Sequence, residues 1–266
     1  MNTKSNKQRG KIPRFKSPDE EAAYWDTHSF ADHSADSKPV KIRFRRNIPP
    51  KIQFDQWNQW LSAIYVDIQQ ALINRHIFKE TMAVIEANPK IQSDDTFYSW
   101  MRMVYSQAAV VAVRRQIDQR DDVASMARLL TEISRSPSVL SREKFVSLYT
   151  NMPPEMGHRG FDKFAGAGEP NINASLVEKD LQELRAKAAS VKLFSHKRVA
   201  HYDQKAFDAV PTWKELDECL DLLETLLKKY LLLFRAESHV QIVPVWQYDW
   251  KEIFRAPWIE GGKHPS

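Results

Sequence analysis

Residues 211–234 read PTWKELDECLDLLETLLKKYLLLF, and this stretch decides the fold class. Leu216, Cys219, Leu220, Leu223, Leu226, Leu227, Tyr230, Leu231 and Phe234 recur at helical spacing, so one face is apolar along the whole segment. Thr212 followed three residues later by Glu215 is a capping box, which fixes where the helix begins. A helix so apolar on one side has to bury that side against other helices.

The rest of the chain supplies them. Residues 53–80 place Phe54, Trp57, Leu61, Ile64, Tyr65, Ile68, Leu72 and Phe78 at near-helical spacing. Residues 94–118 follow Ser93-Asp94-Asp95, a helix-start signal, and suggest an apolar face of Phe97, Trp100, Met101, Val104, Ala108, Val111 and Ile117. A third helix over 121–134 carries Val123, Met126, Leu129, Leu130 and Ile133, and SRSPS closes it. Residues 151–175 hold four of the seven glycines, Gly157, Gly160, Gly166 and Gly168, with three prolines, and read as one long loop. A further helix spans 174–194. The tail VQIVPVWQYDWKEIFRAPW, with Trp246, Trp250 and Trp258, reads as an extended segment over the bundle, or as an aromatic partner site. The expectation is an all-α antiparallel helical bundle.

With 266 residues and 42% hydrophobic composition, the chain buries one main core with appendages. Three parts are expected: a charged N-terminal arm (1–51), a bundle (52–238) and an aromatic-rich tail (239–266). One cysteine excludes an intramolecular disulfide and a cysteine-based zinc site, and Cys219 falls on an apolar helix face as a buried thiol. His76, His158 and His239 lie in unrelated contexts, so neither a metal site nor a cofactor is expected. No run approaches 18 apolar residues and the N-terminus lacks a secretory pattern, which points to a cytosolic protein.

Charge is concentrated in the arm. Residues 1–16 and 38–51 each carry six Lys or Arg and no acid, while 17–37 carry six acids and no Lys or Arg. These blocks of +6, −6 and +6 in a chain of net charge +5 leave residues 52–266 at −1. Such an arm can meet phosphate, fold on itself, or dock on a partner. Ser17, Pro18 and Glu20 start a short helix there, with Phe15 as its hydrophobic staple, and KPVKIRFR alternates like a strand. Ile12, Pro13, Phe15, Ser17, Glu20, Glu21, Ala22, Trp25, Asp26, Thr27 and His28 resemble the N-terminal part of CopG/BrnA-like antitoxins. That resemblance covers about residues 11–33, and it implies a docking segment for a partner protein, not DNA binding.

Two passages carry a second resemblance. One is WMRMVYSQAAVVAVRRQIDQRDDVASMARLLTEI, residues 100–133; the other is SHKRVAHYD, residues 195–203, ahead of the capped helix. In order and separation they resemble the HEPN superfamily, closest to its AbiU-type abortive-infection branch, over about residues 55–237. The resemblance implies a dimeric, metal-independent endoribonuclease with an Arg followed by four to six residues and then a His. The His matches at His201. Its Arg does not: the family form would be RHKRVAH, and Ser195 stands in the Arg place.

Active members use the His for proton transfer and the Arg to steady phosphorane-like charge. Arg198, on the same helical face as His201, and His196, when protonated, are the candidate substitutes. His201, Arg198 and His196 are thus the candidate catalytic residues, and Lys197, Arg114 and Arg115 the candidate RNA-binding ones. The alternative is that His196, Lys197, Arg198 and His201 form a basic helix end suited to its dipole. The functional expectation is an RNA-associated protein of a bacterial defence or toxin–antitoxin type system, weak or inactive as a ribonuclease. Its alternative is an interaction module that holds a partner through arm and tail.

Overall fold

A computed structural model of the chain describes residues 13–27, 49–92, 96–150, 152–195 and 210–257. It divides into two compact units, 1–47 and 48–266. In the first unit, helix α1 (Pro18–Trp25) starts as expected. Ser17 Oγ accepts from the Glu20 N–H at 3.3 Å, and the Glu20 carboxylate accepts from the Lys16 N–H at 2.8 Å. Phe15 packs on Tyr24 and Trp25, with ring centroids at 5.2 and 6.5 Å. The expected strand in KPVKIRFR lies outside the described residues.

The second unit is built on α2 (Pro50–Glu86), a helix of 37 residues, roughly 55 Å long at 1.5 Å per residue. Trp57, Leu61, Ile64, Ile68 and Leu72 are essentially fully buried along it. Each such side chain contributes roughly 1.5–3 kcal/mol of transfer free energy. α2 turns through a 3-10 segment (Pro89–Ile91) into α3 (Thr96–Gln116). Phe78 stacks on Tyr105, and Asp67 meets Arg115 and Gln116, so the two helices run antiparallel. α9 (Trp213–Arg235) also runs antiparallel to α2, with Phe54 on Phe234 at one end and Lys79 paired with Asp217 at the other. α7 (Ala174–Lys187) is antiparallel to α9: Asp180 takes Lys229 and Tyr230, and Lys187 takes Glu218. α4 (Met126–Arg135) packs mainly on α7 and also on α2. Among the described residues the fold is all-α, and no helix is long and apolar enough to cross a membrane.

Three expectations need correction. The predicted apolar face of α3 is the wrong side of that helix. Its core face is Tyr105, Ala109, Val110, Ala112, Val113 and Gln116, while Phe97, Trp100 and Val104 are exposed. Small residues let α3 approach its neighbours closely, and the larger ones point outward. α4 begins at Met126, not near 121, because Ser125 caps it by accepting the Arg128 N–H at 3.1 Å, while residues 118–124 form turns.

The expected loop over 151–175 contains a helix, α6 (Pro154–Ala165), preceded by the short α5 (Arg142–Val146). Its glycines serve close packing. A Cβ on Gly157 would stand 3.3 Å from Val146 Cα, and one on Gly160 would stand 3.2 Å from the Phe145 ring. Residues 166–173 remain a loop, where Gly166 and Gly168 take positive φ. Arg142 clamps that loop, donating to the carbonyls of Glu169, Gly166 and His158 and pairing with Asp162 at 2.8 Å.

The tail packs on α2 and α9. Ile242 is buried, its carbonyl accepts from Gln69, and the Val240 carbonyl accepts from Lys228. Trp246 stacks on His76 at 5.1 Å, and a 3-10 turn over Trp250–Arg255 follows, with Lys251 paired to Glu80. Trp258 lies outside the described residues.

Candidate functional site

The helical region expected over 174–194 is two helices, α7 and α8 (Ala189–Phe194), with a break at Ala188. α8 delivers the chain to Ser195, and α9 resumes at Trp213. Between them, His196, Lys197, Arg198 and His201 lie outside the described residues, as do Tyr202 and Asp203.

Ser195 is helical and only 5% exposed. Phe194 packs against the core just before it. The Thr212 cap closes the other flank. Glu215 accepts from the Thr212 N–H at 2.7 Å and from its hydroxyl at 2.9 Å, and also bonds Ser190 on α8. The Thr212 backbone and side-chain hydrogen bonds, with Ser190, hold the Glu215 carboxyl below its ordinary value. One carboxylate thereby ties the start of α8 to the start of α9, and so fixes the two ends of the motif segment.

Cys219 sits one turn further along α9. Its Sγ donates to the Lys187 carbonyl at 3.3 Å, and burial pushes the thiol up to about 11. A thiol so far from ionisation is a packing residue, not a nucleophile.

Arg114 and Arg115 are elsewhere. Arg115 donates to Asp67 Oδ2 at 3.2 Å and makes a second, closer bond to Oδ1. Arg114 stands 3.6 Å from Asp118. Burial raises the Asp118 carboxyl, but hydrogen bonds from Arg120 and the charges of Arg120 and Arg114 outweigh it and hold the group low. Asp67 lies eleven residues before Phe78, the α2 residue that stacks on Trp213. Within one chain the arginine pair and the closing flank of the motif segment are therefore roughly 16 Å apart along α2.

Sequence reasoning missed the polar element beside that pair. Gln116, 2% exposed, donates to Asp67 at 2.6 Å and accepts from the Met126 N–H at 3.1 Å. It thus joins α2, α3 and the start of α4. The only sequence signal was a glutamine among apolar neighbours.

Among the described residues no group of three or more His, Cys, Asp or Glu could hold a metal ion. His76 stacks on Trp246 and meets Trp250 edge-on, and His239 lies beside Tyr65 and Glu237.

Comparison with known families matches residues 57–249 to AbiU2, of the HEPN group. The matched span begins within α2 and runs through α9 into the tail, so the resemblance of residues 11–33 to CopG/BrnA-like antitoxins gains no support from it. No curated protein and no solved structure matches the chain. The order of helices, the capped α9 and a match over more than half the chain lead to one conclusion: this chain belongs to the AbiU2 family of HEPN proteins.

Proposed function

We propose that this is an RNA-associated HEPN protein of a bacterial defence or toxin–antitoxin type system, acting as a homodimer and disarmed, or nearly so, as a ribonuclease. The observation that carries this reading is Ser195. A short neutral side chain, 5% exposed, occupies the place where the resemblance asks for a permanent positive charge. A serine hydroxyl cannot neutralise a pentavalent phosphorus, and losing one such donor typically lowers the rate by ~10²–10³. His201 retains the capacity to move a proton, and Arg198 or His196 supplies what charge stabilisation remains. Lys197 and Arg198 hold phosphate. Arg114 and Arg115 contribute only weakly to RNA binding, because Asp118 and Asp67 already answer their charge.

Direct binding tests this. Fluorescence anisotropy with a labelled single-stranded RNA oligomer should show affinity that falls with salt. Replacing Lys197 and Arg198 by Ala should weaken binding by at least roughly tenfold and flatten the salt dependence. Salt-independent or absent binding by the wild type would overturn the RNA reading. It would favour the second one, an interaction module, for which the tail offers exposed Val240, Val245 and Tyr248.

A further inference from the structure

The corrected face of α3 leaves something unexplained. Past the levels of Leu72 on α2 and Tyr105 on α3, Ile85 is the one further buried residue of the two helices among those described. The α2–α3 hairpin nevertheless keeps a row of large apolar side chains. Ile77, Phe97, Trp100, Met103 and Val104 leave 39–52% of their surfaces in water. Beside them a groove of about 270 Å³ opens between the two helices, floored by Phe78, Met101, Tyr105 and Ala108 and walled by Ile77, Trp100 and Val104. Phe78 and Tyr105 stack on each other in its floor, and both stack on Trp213 beside it, with centroids 4.1 to 5.6 Å apart.

We propose that this groove is the interface through which a second copy of the chain binds. Ridge and groove lie side by side on one face: Phe97 and Trp100, in contact at 5.9 Å, stand next to the depression that Phe78 and Ala108 floor. A face carrying both is complementary to itself under a twofold rotation, so each ridge fills the other copy's groove. No charged side chain lines the groove, which suits helix against helix and offers nothing to a phosphate. The five exposed apolar side chains supply a large share of the ~800 Å² that each partner of a stable interface loses. Trp213, which opens α9, stacks on the groove's Phe78 and Tyr105, so the pairing lies beside the start of that helix. The proposal rests on the homodimer reading above and adds the surface that makes it.

Sedimentation velocity on the full chain tests it, with the wild type, Trp100→Glu/Val104→Glu and, as a control in the tail, Val240→Glu. The wild type and the control should sediment as dimers at micromolar concentration. The double variant should dissociate roughly 100-fold more readily while keeping its helical circular dichroism. Trp100→Ala, which trims the ridge and one wall of the groove without adding charge, should shift the equilibrium in the same direction by less. A double variant as dimeric as the wild type would refute this surface and leave the dimer itself standing. A monomeric wild type would refute both, and leave the groove to a foreign helix or an RNA base.

Discussion

At the scale of single residues, the informative positions are polar groups inside an apolar bundle. Gln116 spends both ends of its amide, one on Asp67 and one on the first N–H of α4. A leucine of similar volume would leave a helix-start N–H and a half-buried carboxylate without that partner. Gln116→Leu should therefore cost about 2 kcal/mol of stability, read from the urea midpoint at neutral pH. An unchanged midpoint would mean that water satisfies both groups. Ser195 is the opposite case, a residue whose meaning lies in the charge it lacks. On the proposed reading, that role was visible in the sequence only through the neighbouring HKRVAH, which resembles the family form. Its burial was not, since a serine four residues after an apolar Val191 reads equally well as surface.

Among the elements, the long amphipathic helices were readable and the close-packed ones were not. α9 declared itself by ten buried positions and a capping box, and α2 by its aromatic and aliphatic row. α3 was assigned the wrong face because hydrophobicity alone ranks Trp100 and Phe97 above Ala109 and Ala112. The helix packs through its small residues and leaves the large ones outside. α6 was missed because glycine and proline signal a break locally, whereas here Pro154 starts a helix and Gly157 and Gly160 make room for α5.

That difference is measurable. Gly160→Leu would push a side chain into the Phe145 ring and should cost roughly 1–3 kcal/mol, seen as a lowered urea midpoint. In a surface loop the same change would be near neutral, and a neutral result would contradict the helical packing of 154–165.

The whole molecule keeps three acidic groups protonated in its core. Burial raises Tyr105 to about 12 and Cys219 to about 11, while burial and the Asp180 carboxylate hold Tyr230 well above its ordinary value. Unfolding would return them to ordinary values of 9.0 for the thiol and 10.0 for the phenols. The unfolded chain then binds fewer protons than the folded one above those values. Stability should accordingly be complete below pH 9 and fall as pH rises through 9 to 11. Urea midpoints across pH 8–11 check this, and Tyr105→Phe should soften the decline. A flat profile would contradict burial of these groups.

The central proposal is that this AbiU2 HEPN bundle carries Ser195 where an active ribonuclease motif would carry arginine. The most direct measurement is the rate at which purified protein cuts total RNA in EDTA, comparing wild type, His201→Ala and Ser195→Arg, each with its melting temperature recorded. The account predicts a wild-type rate roughly 10²–10³ below that of Ser195→Arg, with His201→Ala silent. Because Ser195 is buried, Ser195→Arg should also melt earlier, and the rates are compared below that transition. Wild-type cleavage as fast as that of folded Ser195→Arg, or activity that survives His201→Ala, would contradict it.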